Sequence, residues 1–189
     1  MGNSKHDTGS CTTLKRFDQM LNVYEEGQQY GNQVSPLLSG RLYTGLAEAY
    51  SNVGQSSKAL QSLERAYKLY PNDPKDDPNF SYTHFKLPHG FEVCVYLNLK
   101  KPEKAWEALN IINKSIPQEI VPDRVELSID QADASLQSGN VDQACSYLKD
   151  AVTSALVLGS KLRYYQAYAL FHHYGVKDVA SALKARQQA

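Results

Sequence analysis

The sequence predicts an all-α fold, a solenoid of antiparallel helix hairpins, and three observations carry that prediction. The stretch RLYTGLAEAYSNVGQSSKALQSLERAYKLYP, residues 41–71, reads as two amphipathic helices joined by a turn. Its pattern returns along the chain at steps of 46, 39 and 36 residues. At each return a small residue holds the same register: Ala59, Ala105, Ala144 and Ala180. Small side chains let two helices cross closely, and large ones fill the gap to the next hairpin. No strand is expected.

In the first hairpin, at about 40–71, Tyr43, Leu46, Ala47 and Tyr50 fall on one helical face. Gly54 breaks the run. Ala59, Leu63 and Ala66 form a second stripe, and Pro71 stops it. These residues resemble the tetratricopeptide-repeat signature, W-x2-L-G-x2-Y…A-x3-F…P, with Tyr43 for Trp, Ala47 for Gly and Leu63 for Phe. That resemblance implies a right-handed superhelix with a concave groove.

The remaining elements follow in order. Residues 1–12 read as a disordered leader. Leu14, Phe17, Leu21 and Tyr24 mark an orphan helix over 13–30, ending near Gly27 or Gly31. GNQVSP, residues 31–36, is a connector, since Ser-Pro disfavours helix. The second hairpin, 86–117, aligns Tyr96 with Tyr50, Leu109 with Leu63 and Pro117 with Pro71. Lys100 stands in the place of Gly54, and Pro102 opens the second helix. The step of 46 residues exceeds a plain repeat of about 34. The surplus falls in an insert loop, 71–85, rich in Pro and Asp, with Phe80, Tyr82 and Phe85 as anchors. The third hairpin spans 125–158, with Ala132, Ser135, Gly139, Ala144, Leu148 and Ala151 at the signature positions. The fourth, 161–187, carries Tyr164, Ala167, Tyr168, Phe171, Gly175 and Ala180. Its second helix, DVASALKARQQA, turns polar toward its end, as a terminal cap does.

Composition excludes several classes. The 189 residues fit one domain, with 42% hydrophobic and 21% charged residues. Twenty basic and twenty acidic side chains cancel. No basic stripe is present, so direct nucleic-acid binding by this chain is not expected. No apolar run reaches the roughly 18 residues of a membrane span, so no membrane contact is expected. The opening MGNSKHDTGS lacks a signal-peptide core, and His6 stands where a myristoylation site wants Ser or Thr. Cys11, Cys94 and Cys145 form no CxxC pair. They suit a reducing compartment and a cytoplasmic location.

Longer strings carry a second resemblance. QVSPLLSGRLYTGLAEAYSNVGQ, YPNDPKDDPNFSY and the run from EKAWEALNIINK to KLRYYQAY resemble the carboxy-terminal repeat regions of bacterial helix-turn-helix transcriptional regulators. The resemblance covers roughly residues 30–170. It implies a repeat region that senses a ligand or partner behind an amino-terminal DNA-binding domain. This sequence departs there, because the residues before Leu14 are too few for such a domain. DNA binding therefore does not carry over.

The repeat resemblance implies a protein or peptide partner in the concave groove, lined by first-helix positions. In the first hairpin these are Arg41, Thr44, Glu48 and Asn52, with Gly45 and Ser51 beside them. The second offers Leu87, Phe91 and Asn98, with Cys94 and Leu97. The third offers Glu126, Asp130 and Asp133, and the fourth Tyr165. The chaperone-type carboxylate clamp needs Lys and Asn where Thr44, Glu48, Leu87 and Phe91 stand, so it is not expected. The acids favour a positively charged partner, and Phe91 is the apolar anchor.

No chemistry-bearing constellation accompanies the groove. GxSxG, phosphate loop and HExxH are all missing, so no enzyme is expected. His172 and His173 are adjacent and point apart on a helix, and His84 and His89 fall in a loop, so no metal is expected. DPKDDPNF lacks the mid-loop Gly and closing Glu of a calcium loop. No cofactor is implied. The function expected is a non-catalytic interaction or sensing module of a bacterial regulator. The alternative is a free-standing scaffold for protein assembly.

Overall fold

The computed structural model describes residues 10–71, 73–80, 88–116, 119 and 121–174. Among them are eight α-helices, two short 3-10 turns and no strand. The helices are α1 (Ser10–Gln28), α2 (Pro36–Asn52), α3 (Ser56–Leu69), α4 (Pro88–Asn98), α5 (Pro102–Ser115), α6 (Pro122–Gln137), α7 (Val141–Val157) and α8 (Lys161–His173). The all-helical hairpin fold is as the sequence predicts. Pro117, the insert residues 81–87, with Tyr82, His84, Phe85 and Leu87, and the segment from Gly175 onward lie outside the described residues.

The chain divides into two compact units, residues 1–99 and 100–189. A solenoid has no common centre, because each hairpin contacts only its neighbours. In the first unit α2 packs on α1, α3 and α4, and α3 also touches α4. In the second, α6 packs on α5, α7 and α8, and α7 on α8.

The hairpin turns share one construction. α2, α6 and α7 end at Asn52, Gln137 and Val157, and a glycine with positive φ stands two residues on. Gly54 donates its N–H to the Ser51 carbonyl, and Gln55 reaches back to Tyr50. Gly139 with Asn140, and Gly159 with Ser160, repeat both bonds. This satisfies carbonyls that a helix end leaves open. Lys100 occupies the same left-handed conformation (φ 56°) two residues after α4, so a lysine does there what glycine does elsewhere.

α2 starts earlier than its apolar stripe. Ser35 is the N-cap, its hydroxyl accepting from the Leu38 N–H, and Pro36 sits at the first helical position. The Ser-Pro pair that disfavours helix before it therefore opens one after it. The insert supplies a second cap. Asp77 is nearly buried, and its carboxylate accepts from the N–H of Leu37 (3.1 Å) and of Asn79 (2.9 Å). The Asn79 amide in turn donates to the Ser35 hydroxyl (3.0 Å). The aspartate-rich loop is thus fastened to a helix start 40 residues earlier in the chain.

The first core joins Leu21 of α1, Leu46, Ala47 and Tyr50 of α2, Ala59 and Leu63 of α3, and Val95 of α4. The second joins Val125 and Ala132 of α6, Leu148 and Ala151 of α7, and Ala167 of α8. Ala59, Ala105 and Ala144 are fully buried, as their register requires. Trp106 packs on Tyr147, ring centroids 6.2 Å apart. At Gly45 the approach is closest: a Cβ there would come within 2.3 Å of the Tyr24 ring.

Candidate functional site

In the first unit, α2 and α4 lie side by side and bring two of the expected groove pairs together. The Arg41 guanidinium stacks over the Phe91 ring, 4.3 Å from its centroid. One helical stretch further on, the Asn98 amide donates to the Ser51 hydroxyl (3.0 Å). Phe91, Arg41 and Glu48 are half-buried, while Asn98 is exposed. The Asn52 amide donates to the Glu48 carbonyl (2.9 Å), one turn back on the same helix. Arg41 Nη1 is buried and meets no acceptor among the described residues.

Two expected groove positions are packed away instead. Thr44 is fully buried, and its hydroxyl donates to the Arg41 carbonyl (2.8 Å). Gly45 is buried beneath Tyr24. The physical reason is that α2 is covered on three sides, by α1, α3 and α4. Its free face is narrower than the spacing pattern of a lone hairpin suggests. Ser51 is buried as well, yet it stays in the arrangement as the acceptor for Asn98. Leu87 lies outside the described residues.

Near the start of α4 is a cluster that the sequence reading missed. The Tyr67 hydroxyl of α3 donates to the Glu92 carboxylate and lies 2.8 Å from His89 Nδ1. His89 and Glu92 are 3.0 Å apart. Burial, then the hydrogen bond to Glu92, pushes the Tyr67 hydroxyl well above its ordinary value. His89 is thus not a loop residue but belongs to the first turn of α4. The one available signal was the three-residue spacing of His89 and Glu92. Tyr67, 22 residues from His89 on another helix, gave none.

The second unit holds the other expected acids, and none of them is free. Glu126 is paired with Arg163. Asp133 accepts from the Tyr174 hydroxyl (2.7 Å) and from the Gln137 amide (2.9 Å). Burial, then the bond to Asp133, raises the Tyr174 pKa. Asp130 is half-buried on the same helix. Tyr165 is 63% exposed and stands edge-on to Tyr164. His172 and His173 are both exposed, and each lies against an aromatic ring. Among the described residues no three His, Cys, Asp or Glu side chains gather where a metal ion could be held.

The hairpin of α2 and α3, with its crossing at Ala59 and its turn at Gly54, decides the comparison with known families. Residues 40–73 match the tetratricopeptide repeat. No curated protein and no solved structure matches the chain. A tetratricopeptide repeat is a protein-interaction module: stacked hairpins present an extended surface to a partner chain. No helix among the described residues is long and apolar enough to cross a membrane.

Proposed function

We propose that this chain is a non-catalytic module that docks an extended peptide or a partner helix along the α2–α4 face. The observation that carries this reading is the Arg41–Phe91 stack. It holds a planar cation and a half-exposed aromatic ring together on adjacent first helices. Aromatic and arginine side chains in such positions dominate interface energies. Phe91 offers an apolar face to a partner side chain, and Asn98 and Asn52 offer amides to its backbone. In the second unit, Tyr165 is 63% exposed and is the first-helix residue that offers a contact of the same kind. The engaged acids Glu126 and Asp133 contribute less charge than their count suggests.

The resemblance of the longer strings supports a role as the sensing region of a bacterial transcriptional regulator, working in the cytoplasm. Coding sequence ahead of this chain that encodes a DNA-binding domain is the expected finding for that role. Upstream sequence without one would favour the scaffold role.

Binding is tested with a partner captured by pull-down and then purified. Phe91→Ala is expected to weaken its affinity by at least about 1–2 kcal/mol, measured by calorimetry at unchanged helical content. Asp130→Asn with Asp133→Asn is expected to flatten the salt dependence of a basic partner. Normal binding by Phe91→Ala, with loss on changing Lys58 or Glu64 of α3, would move the working surface to the second helices.

A further inference from the structure

Arg41, in the second turn of α2, carries a half-buried charge that meets no counter-charge among the described residues. The Phe91 ring of α4 lies against its guanidinium, 4.3 Å from ring centroid to central carbon. Tyr70, just past α3, packs its ring against Gly40, and its hydroxyl lies near enough for the guanidinium charge to act on it. A ring face and a neutral hydroxyl leave the positive charge uncompensated, and Nη1 is buried with no acceptor among the described residues. Acids around α2 are committed elsewhere: Asp77 caps its start, Glu25 accepts from Tyr50, and Glu92 accepts from Tyr67. The other two half-buried arginines among the described residues are treated differently. Arg163 is paired with Glu126, and Arg124 donates to the Ile116 carbonyl (2.7 Å).

We infer, resting on the docking face proposed above, that Arg41 seats an acidic side chain, Asp or Glu, of the docked peptide, with an apolar residue of that peptide beside it on Phe91. Charge complementarity selects this occupant. A carboxylate accepts from guanidinium N–H groups in the guanidinium plane, so it can bind while Phe91 keeps the face. The stack already holds the Arg41 side chain, so less freedom is lost when the carboxylate arrives. Glu48 lies two turns further along α2, about 10 Å away along the axis. It confines the acid to the Arg41 end of the face. The preference is opposite in sign to the one that the expected groove acids suggest, because Glu126 and Asp133 are answered within the second unit. Nor is it the chaperone-type clamp, whose positions are held here by Thr44, Glu48, Leu87 and Phe91, with Arg41 outside that set.

Selection of random peptides, displayed inside a carrier protein so that they have no free carboxy terminus, tests this on the full chain. The baits are wild type, Arg41→Gln, Arg41→Lys and Phe91→Ala, each checked for wild-type helical content. Peptides enriched by wild type and lost on Phe91→Ala are those docked on the face. Among them Asp and Glu should exceed Asn and Gln at one position, next to an apolar residue, by at least about tenfold. Arg41→Gln should abolish that excess. Arg41→Lys should restore part of it, since the charge returns without the planar fork. Phe91-dependent peptides with no acidic preference, or an acidic preference that survives Arg41→Gln, would overturn the inference and leave the docking face standing. No Phe91-dependent peptide at all would overturn the docking face and the inference with it. Enrichment confined to a parallel library with free carboxy termini would give the anion to a chain end, which overturns the side-chain assignment as well.

Discussion

At Gly54 the backbone, and not the space around it, sets the residue. Its φ is +75°, and a Cβ built there meets nothing within 4 Å. Gly54→Ala should therefore cost only the left-handed strain, about 1 kcal/mol, read from chemical denaturation. Lys100 poses the reverse case. It holds φ 56° with a side chain attached, and its ammonium lies 6.0 Å from the Tyr174 ring. Lys100→Gly should raise the melting midpoint by relieving that strain, less whatever the distant ring contact contributes. A fall in the midpoint would mean that the lysine side chain matters more than the backbone. Asp77 is a residue whose charge the fold uses. Burial pulls its pKa up, but the N–H of Asn79, the Ser35 hydroxyl and the N–H of Leu37 pull it down and prevail. The lowered folded-state pKa makes its contribution full above the ordinary carboxylate value of about 3.9. That contribution is lost as pH falls through the folded value. Wild-type stability should drop more steeply below about pH 4 than that of Asp77→Asn, whose cap does not titrate.

Between elements, the alanines decide how near two helices come. Ala59 is fully buried in the core that joins α1, α2, α3 and α4. Ala59→Leu should overpack that crossing at a cost of roughly 1–3 kcal/mol, visible as a lower melting midpoint with the helical spectrum retained. A neutral outcome would mean that the register of α3 on α2 is wrong. The α1–α2 contact is secured differently. The Tyr50 hydroxyl donates to the Glu25 carboxylate (2.8 Å), and burial, followed by that bond, pushes its pKa to about 12. Tyr50 therefore stays protonated across the physiological range and holds α1 on α2. The helix that the sequence leaves without a partner hairpin is tied in by this bond and by Tyr24 over Gly45.

For the molecule as a whole, contacts gather in two units, residues 1–99 and 100–189. Each unit then has its own polar character. In the first, Arg41 has no hydrogen-bond acceptor for Nη1 among the described residues and stacks on Phe91. In the second, Glu126 and Asp133 are answered by Arg163 and Tyr174. A partner that docks by charge alone would therefore find less acid in the second unit than the sequence count implies. Salt dependence should accordingly be modest, and loss of Phe91 should weigh more than loss of any single carboxylate.

The sequence by itself determined the all-helical class and the repeat of α2 and α3, with its turn at Gly54 and its buried Ala59. Ala59, Gly54 and the Tyr43–Tyr50 stripe belong to two neighbouring helices and the turn between them, and residues on one helical face leave a readable period. It also offered candidate first-helix residues, Phe91 and Asn98 among them. Only the tertiary structure decided which of these remain available. Thr44 and Gly45 are lost to the face because α1, α3 and α4 cover α2, with Tyr24 of α1 lying over Gly45. Asp77 becomes a helix cap, and Tyr67 joins His89 and Glu92, across 40 and 22 residues of chain. Side chains that meet through folding of distant segments share no period, so no local spacing foretells them.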